Sequence, residues 1–299
     1  MGNKKNIIKK PGVKTLSIHH GETFSEETGC VMPPIFSTST FKHGNKGNFD
    51  YTRSGNPNFK ILENILKSIE ESKYCTIFGS GISAVTAITS SLKSGDKILC
   101  ESNLYGCTVR MFDKIFKKFG IEVLYTDFTN KENFKEIKDF HPTLIWLESP
   151  TNPLLKVLDI KLICDEANKY KIPVVLDNTF STALIQKPLE LGATLSLIST
   201  TKFINGHSDA LGGAVLTNNE EWNNKMLFSQ KALGLQPSPF DTWLITRGVK
   251  TLPLRIEQQS KSAEIISKEI ENHRIISKVF YPFNQKHPQF NLAKSQMKS

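Results

Sequence analysis

The chain has 299 residues, 38% hydrophobic and 22% charged, with a formal net charge of +9. This is an ordinary globular composition, long enough for one large core or two domains, and no apolar run reaches the length needed to span a membrane. The lysines are spread along the chain and no basic helix carries interleaved aromatics, which argues against a nucleic-acid partner. The one dense patch, Lys4, Lys5, Lys9 and Lys10, reads as part of an N-terminal arm.

Residues 1–58 are rich in Gly, Pro, Ser and Thr, with Pro33-Pro34 and Asn56-Pro57, and predict an extended arm with little regular structure. A helix follows, marked by Leu62, Ile65, Leu66 and Ile69 at helical spacing. The apolar run Cys75–Phe78 then predicts a buried strand, and Gly79-Ser80-Gly81 predicts a tight turn into an apolar helix. A second strand is expected over Lys97–Cys100, and a helix from the spacing of Phe112, Ile115, Phe116 and Phe119. Three more strands are expected over Leu144–Leu147, Val174–Leu176 and Leu195–Ile198, with a helix at Ile160, Ile163, Cys164 and Ala167 between the first two. Strands alternating with helices predict an α/β fold, a mostly parallel sheet with helices on both faces. Beyond Ser238-Pro239 the pattern changes. A long polar helix is expected from about Leu252 to Asn272, then a short strand Ser277–Tyr281, then a helical segment running to Ser299. The expected organisation is an arm (1–58), a ligand-binding domain (59–250) and the beginning of a truncated C-terminal α+β domain (251–299).

Two polar residues stand out against this frame. Asp177 and Lys202 each follow an apolar run, so both belong at the carboxyl edge of the sheet, where open α/β sheets bind ligands. A cofactor with an aldehyde, a ring nitrogen and a phosphate uses both groups. The amine forms a Schiff base, and the carboxylate keeps a pyridinium nitrogen protonated. Ser199 and Thr201 flank the lysine and offer hydroxyls to a phosphate. Gly79-Ser80-Gly81 places free N–H groups and a helix N-terminus where a phosphate can sit. No lysine follows as in a Walker A loop, and Gly79-Ser80-Gly81-Ile82-Ser83-Ala84 is a variant of the dinucleotide fingerprint. A dinucleotide reading is weakened because the acidic residue about 20 positions on, Glu101, lies in a different loop pattern.

Tyr51 and Arg53 in the arm point the same way if that segment is extended, and can grip a phosphate from their own or a neighbouring subunit. Tyr105, in the loop after Glu101, can stack on a flat ring, and Asn152 in Ser149-Pro150-Thr151-Asn152-Pro153 can donate to a ring hydroxyl. His207 and Asp209 have no supporting cluster, so no metal is expected. The cysteines (Cys30, Cys75, Cys100, Cys107, Cys164) contain no C-x-x-C pair and no apolar leader precedes them, which predicts reduced thiols in a cytoplasmic protein, with Cys75 and Cys164 in the core.

Taken in order, these segments resemble the Cys/Met-metabolism (transsulfuration) family of pyridoxal-phosphate enzymes. The resemblance rests on Tyr51-Thr52-Arg53-Ser54-Gly55-Asn56-Pro57, Ser80-Gly81, Leu104-Tyr105-Gly106, Glu148 to Pro153, Asp177-Asn178-Thr179-Phe180 and Ser199-Thr200-Thr201-Lys202. It continues through Gly206-His207-Ser208-Asp209, Ser238-Pro239-Phe240-Asp241 and Arg247 to Leu252. It implies an aspartate-aminotransferase-like fold (fold type I) and a pyridoxal 5'-phosphate cofactor carried by Lys202. It also implies that Asp177 pairs with the ring nitrogen, Tyr105 stacks on the ring and Asn152 meets the ring hydroxyl. Gly81, Ile82, Ser199 and Thr201 would hold the phosphate, with Tyr51 and Arg53 from a neighbouring subunit. That sharing implies at least a homodimer, and family members are usually tetramers, dimers of dimers.

The substrate implied is a small amino acid, cystathionine or an O-acylhomoserine, undergoing γ-replacement or γ-elimination. Arg110 resembles the arginine of cystathionine-handling members, which faces a distal carboxylate. Cysteine at position 107 is instead a feature of methionine γ-lyases, and keeps methionine γ-lyase or O-acylhomoserine sulfhydrylase as the alternative. Family members continue well past the His287-Pro288-Gln289 motif, through an arginine that clamps the substrate α-carboxylate. A truncated, non-catalytic cofactor-binding fragment is therefore the rival expectation.

Overall fold

The computed structural model describes residues 11–20 and 29–298; the lysine patch Lys4 to Lys10 lies outside them. Where the sequence predicts an extended arm, the described part contains a short helix, α1 (Val13–His19), packed on α2 (Pro57–Glu70) and on the later helix α10 (Leu252–Ile270). The start of α2 is set locally: Pro57 occupies the first turn and the Asn56 side chain accepts the Asn58 N–H. Its apolar stripe Leu62, Ile65, Leu66 and Ile69 is fully buried.

The chain then alternates: β1 (Tyr74–Phe78), α3 (Gly81–Thr89), β2 (Lys97–Glu101), α4 (Gly106–Lys114), β3 (Glu122–Thr126), α5 (Lys135–Asp139), β4 (Leu144–Glu148), α6 (Ile160–Lys169), β5 (Val174–Asp177), α7 (Thr182–Ile185) and β6 (Leu195–Ile198). Next come β7 (Gly213–Thr217), α8 (Glu220–Ala232), α9 (Pro239–Val249), α10 and α11 (Phe290–Gln296). Among the described residues seven strands form one sheet in the order β1-β7-β6-β5-β4-β2-β3. All neighbours run parallel except β7, which is antiparallel to both β1 and β6. Every residue of β4, β5, β6 and β7 is buried, as expected for strands covered on both faces. Apolar clusters lie against the sheet under α3, α4 and α8, under α2, α9 and α10, and under α6. Cys75 and Cys164 are in these clusters.

Three expectations are corrected. The helix read through Phe119 stops at Lys114. A short 3-10 turn, Phe116–Phe119, replaces it, ended by Gly120 at φ +80°, and Ile115 and Phe119 are exposed. Strands β3 and β7 were not foreseen. β3 is a half-buried edge strand, so its residues carry no continuous apolar run. No strand forms over Ser277–Tyr281, because no other strand lies alongside to accept its backbone hydrogen bonds.

Segment 271–298 instead packs back onto the segment around Val157 and Ile185. Ala293 and Met297 pack on Val157, and the Lys298 N–H donates to the Ile185 carbonyl at 2.9 Å. Among the described residues no helix is long and apolar enough to cross a membrane.

Candidate active site

The carboxyl ends of β2, β4, β5 and β6 open onto one cavity of about 240 Å³. Ladder register fixes who meets whom there. Asp177, last in β5, lies between Glu148, last in β4, and Leu197 of β6. Four residues beyond the end of β6, Lys202 sits in a turn whose carbonyl accepts the Gly206 N–H at 2.8 Å. Arg255 of α10 fastens that turn: its guanidinium donates to the carbonyls of Phe203 (2.6 Å), Ile204 (3.1 Å) and Gly248 (2.9 Å). Gly206 adopts φ +74°, and a Cβ there would meet Arg255 Nη1 at 2.0 Å, so glycine is required.

One end of the cavity is lined by the start of α3. Ser80 caps it by accepting the Ser83 N–H at 3.0 Å, which leaves the N–H groups of Gly81 and Ile82 at the open helix end. Gly81 lies so close to Ser199 that an added Cβ would come within 2.9 Å of the serine Cβ. The Thr201 hydroxyl donates to the Gly212 carbonyl at 3.1 Å, tying the lysine turn to the residue before β7. At the other end, Asp177 is 9% exposed; its Oδ1 accepts the Thr179 N–H at 3.0 Å, and burial pushes the carboxyl up from its usual range.

Tyr105 and Asn152 also border the cavity. Tyr105 is the cap residue of α4, its ring 41% exposed beside the cavity. Hydrogen bonding with Cys107 holds its phenol above the usual range, opposed by the nearby Arg110 charge. Asn152 follows the Ser149-Pro150 turn, which is braced from behind: the buried Gln186 amide donates to the Ser149 carbonyl (2.8 Å) and to Asn178 Oδ1 (3.0 Å).

Gly81, Ile82, Tyr105, Asn152, Asp177, Ser199, Thr201 and Lys202 thus border one cavity. Tyr51, Arg53 and Arg110 do not border it. The segment expected to be extended at Tyr51 and Arg53 turns instead. Tyr51 pairs with Thr40 and Arg53 lies in a 3-10 turn, Thr52–Ser54, with its guanidinium 5.4 Å from the Tyr51 ring centre and donating to the Lys231 carbonyl at 2.8 Å. Arg110 is exposed, its Nη1 3.7 Å from Cys107 Sγ. His207 Nδ1 is 2.7 Å from the Asn205 carbonyl oxygen and Asp209 accepts from the Asn205 amide; among the described residues no three metal-ligating side chains converge.

The sequence reading overlooked Glu148 as a cavity residue, although it ends a buried strand just as Asp177 does. Thr179 was also overlooked; its Oγ1 accepts the Ser199 N–H at 2.8 Å and joins the two strand ends.

The cavity suits a single-ring cofactor bearing a cationic nitrogen and a phosphate. A buried carboxyl, a helix N-terminus with hydroxyls beside it, and an amine all border it. Sheet order and site together define a pyridoxal-phosphate enzyme of the aspartate-aminotransferase-like type. A solved cystathionine γ-synthase from Xanthomonas oryzae pv. oryzae, in complex with aminoacrylate and cysteine, superposes with a TM-score of 0.92 at 34% identity, over 97% of this chain and 76% of that one. The family model for Cys/Met metabolism PLP-dependent enzymes matches residues 14–299, and the chain belongs to that family. It is 40% identical over 290 residues to a probable cystathionine γ-synthase of Herpetosiphon aurantiacus, covering 96% of this chain and 91% of that one. It is equally similar, at 40% over 290 residues, to a cystathionine γ-lyase of Dictyostelium discoideum, of which 75% is covered. Pyridoxal phosphate is the family's cofactor.

Proposed function

We propose that the chain catalyses γ-replacement or γ-elimination on cystathionine or an O-acylhomoserine. The observation that carries this is the single cavity uniting Lys202, Asp177, Tyr105 and the α3 N-terminus, in a chain whose relatives are named for reactions of cystathionine. When bound, pyridoxal phosphate supplies an aldehyde that captures the substrate amine and a ring that accepts the electron pair left at Cα. Lys202 holds the cofactor between turnovers. When not engaged with the cofactor, its Nζ would take the Cα proton and, once it has released that proton, would take one from Cβ.

Asp177 keeps the ring nitrogen protonated, and Asn152 donates to the ring hydroxyl. The N–H groups of Gly81 and Ile82 and the hydroxyls of Ser199 and Thr201 bind the phosphate. Tyr105 covers the ring, and its phenol, kept protonated by its raised pKa, donates a proton to the departing γ-substituent.

The reaction is tested by assaying cystathionine, O-acylhomoserine with cysteine, and methionine separately, reading 2-oxobutanoate and cystathionine formation. Turnover of none of these sulfur substrates by cofactor-loaded protein overturns the proposal. The second reading, methionine γ-lyase, is favoured by Cys107, which stands beside Tyr105. Arg110 separates the two, because only cystathionine or an O-succinyl group presents a distal carboxylate. A charge-assisted pair contributes about 1.5–3 kcal/mol. Arg110→Ala should therefore raise KM for such substrates roughly tenfold to a hundredfold while leaving methionine nearly unchanged. Equal losses on both substrates would make Arg110 structural and favour the second reading.

We further propose a homodimer, within a dimer of dimers, in which the partner subunit's Tyr51 and Arg53 complete the phosphate site. Their placement supports this: both are polar, in a segment of few core contacts, and neither borders the cavity of its own chain. Arg53→Ala should weaken cofactor retention. Mixing it with Lys202→Ala subunits should restore part of the lost activity, because each mixed dimer contains one intact site. A verified mixed dimer without recovered activity rules out the shared site.

A further inference from the structure

Glu148 makes two hydrogen bonds that link separate loops. Its Oε2 accepts the Tyr105 N–H at 2.7 Å, from the loop after β2. Its Oε1 accepts the Asn152 N–H at 2.9 Å, from the loop after β4. The side chain is 5% exposed and borders the cavity. We propose that Glu148 is a positioning residue for the cofactor ring, holding the backbones of Tyr105 and Asn152 at the cavity rim, one on each carboxylate oxygen.

The inference rests on the cofactor placement proposed above and adds what fixes it. Tyr105 is 41% exposed, so packing does little to locate it; the backbone anchor fixes the point from which its ring projects. Tyr105 also caps α4 without any side-chain hydrogen bond of its own, so Glu148 sets where that helix begins relative to β4. Each carboxyl oxygen can accept one N–H donor, so a single side chain serves both loops, and the ionised form holds them most tightly.

The charge has a consequence of its own. Burial, and then the Asp177 carboxylate on the neighbouring strand, push Glu148 up to about 8, against the two N–H donors. The other titratable groups around it are Glu101 on β2, which raises it further, the Tyr105 phenol and the Lys202 amine across the cavity. The free protein already makes both hydrogen bonds, but with its carboxyl pushed up to about 8 Glu148 is largely protonated at neutral pH, and a neutral acceptor holds the two N–H groups less tightly than a charged one. A protonated ring nitrogen beside Asp177 would offset that carboxylate's repulsion on Glu148, shift Glu148 towards its ionised form and tighten the clamp. Ring binding at pH 7 is thus coupled to proton release, and affinity rises with pH up to about 8, where the free-protein carboxyl already ionises.

The probe is pyridoxine 5'-phosphate, which carries the ring and phosphate but no aldehyde and so reads placement without turnover. It is titrated calorimetrically into the full chain freed of cofactor, at pH 7 in two buffers of different ionisation enthalpy. Wild type is expected to release a proton on binding. Glu148→Gln keeps the size but offers only one acceptor, and should bind about tenfold more weakly with that proton release gone. Glu148→Asp keeps the charge but is too short to reach both N–H groups; it should retain proton release and still bind about tenfold more weakly. Wild-type affinity in either variant overturns the clamp. Absence of proton release in the unsubstituted chain also overturns it, whether or not the variants fold. Failure of the unsubstituted chain to bind pyridoxine 5'-phosphate at all overturns the cavity assignment, and this inference with it.

Discussion

Replacing Lys202 with alanine is expected to lower turnover at least about 10³-fold, since the same amine carries the cofactor and moves the protons at Cα and Cβ. Wild-type protein treated with borohydride should retain pyridoxyl phosphate on the peptide containing Lys202, and the variant should retain none. The position favours this outcome. The turn after β6 is tied down on both sides, by Arg255 to three carbonyls and by Thr201 to Gly212, while the Lys202 side chain itself is exposed to the cavity. A fixed backbone with a free amine suits a group that must attach and detach each cycle. Label on a different lysine, or a variant that keeps more than about a tenth of wild-type turnover, rejects the assignment.

Asp177→Asn should cost about 10²–10³-fold in kcat, the scale for removing one preorganised electrostatic contact from a buried site. Asparagine preserves the shape and can still accept the Thr179 N–H, so the fold should survive. What it lacks is the negative charge that keeps the ring nitrogen protonated. The same substitution acts on Glu148, because the Asp177 charge is, after burial, the largest cause that raises it. Removing that charge lowers the Glu148 pKa, so its ionisation moves to lower pH in the free protein. Proton release on binding pyridoxine 5'-phosphate at pH 7 should then shrink. Circular dichroism checks the fold, and steady-state kinetics with calorimetry measure the two effects. Unaltered kcat would place the ring nitrogen away from Asp177.

The two residues behind these predictions were legible in the sequence for a local reason. A short apolar run that ends in a polar residue places that residue at a strand end, and strands joined through helices put such ends on one edge of the sheet. The Gly79-Ser80-Gly81 turn was legible for the same reason, as was the buried stripe of α2, where spacing alone identifies the inward face.

Other features depended on partners distant in the chain. β7 lies between β1 and β6 and runs antiparallel to both, an arrangement that no residue in Gly213–Thr217 announces. Ser277–Tyr281 has a strand-like composition but no neighbour to form a ladder with, so it stays irregular. The helix expected through Phe119 ends early although its apolar spacing continues, because spacing does not say whether a face has anything to pack against; Ile115 and Phe119 remain exposed.

Glu148 marks the same boundary within the site. Its residue type and position at a strand end were in plain view in the sequence. Its two hydrogen bonds join residues 43 positions before it and 4 positions after it. The sequence by itself determined which groups stand at the carboxyl edge of the sheet, because periodicity is a property of neighbouring residues. Only the tertiary structure decided how those groups are held and charged, because hydrogen bonds and burial depend on atoms the fold brings together from far along the chain.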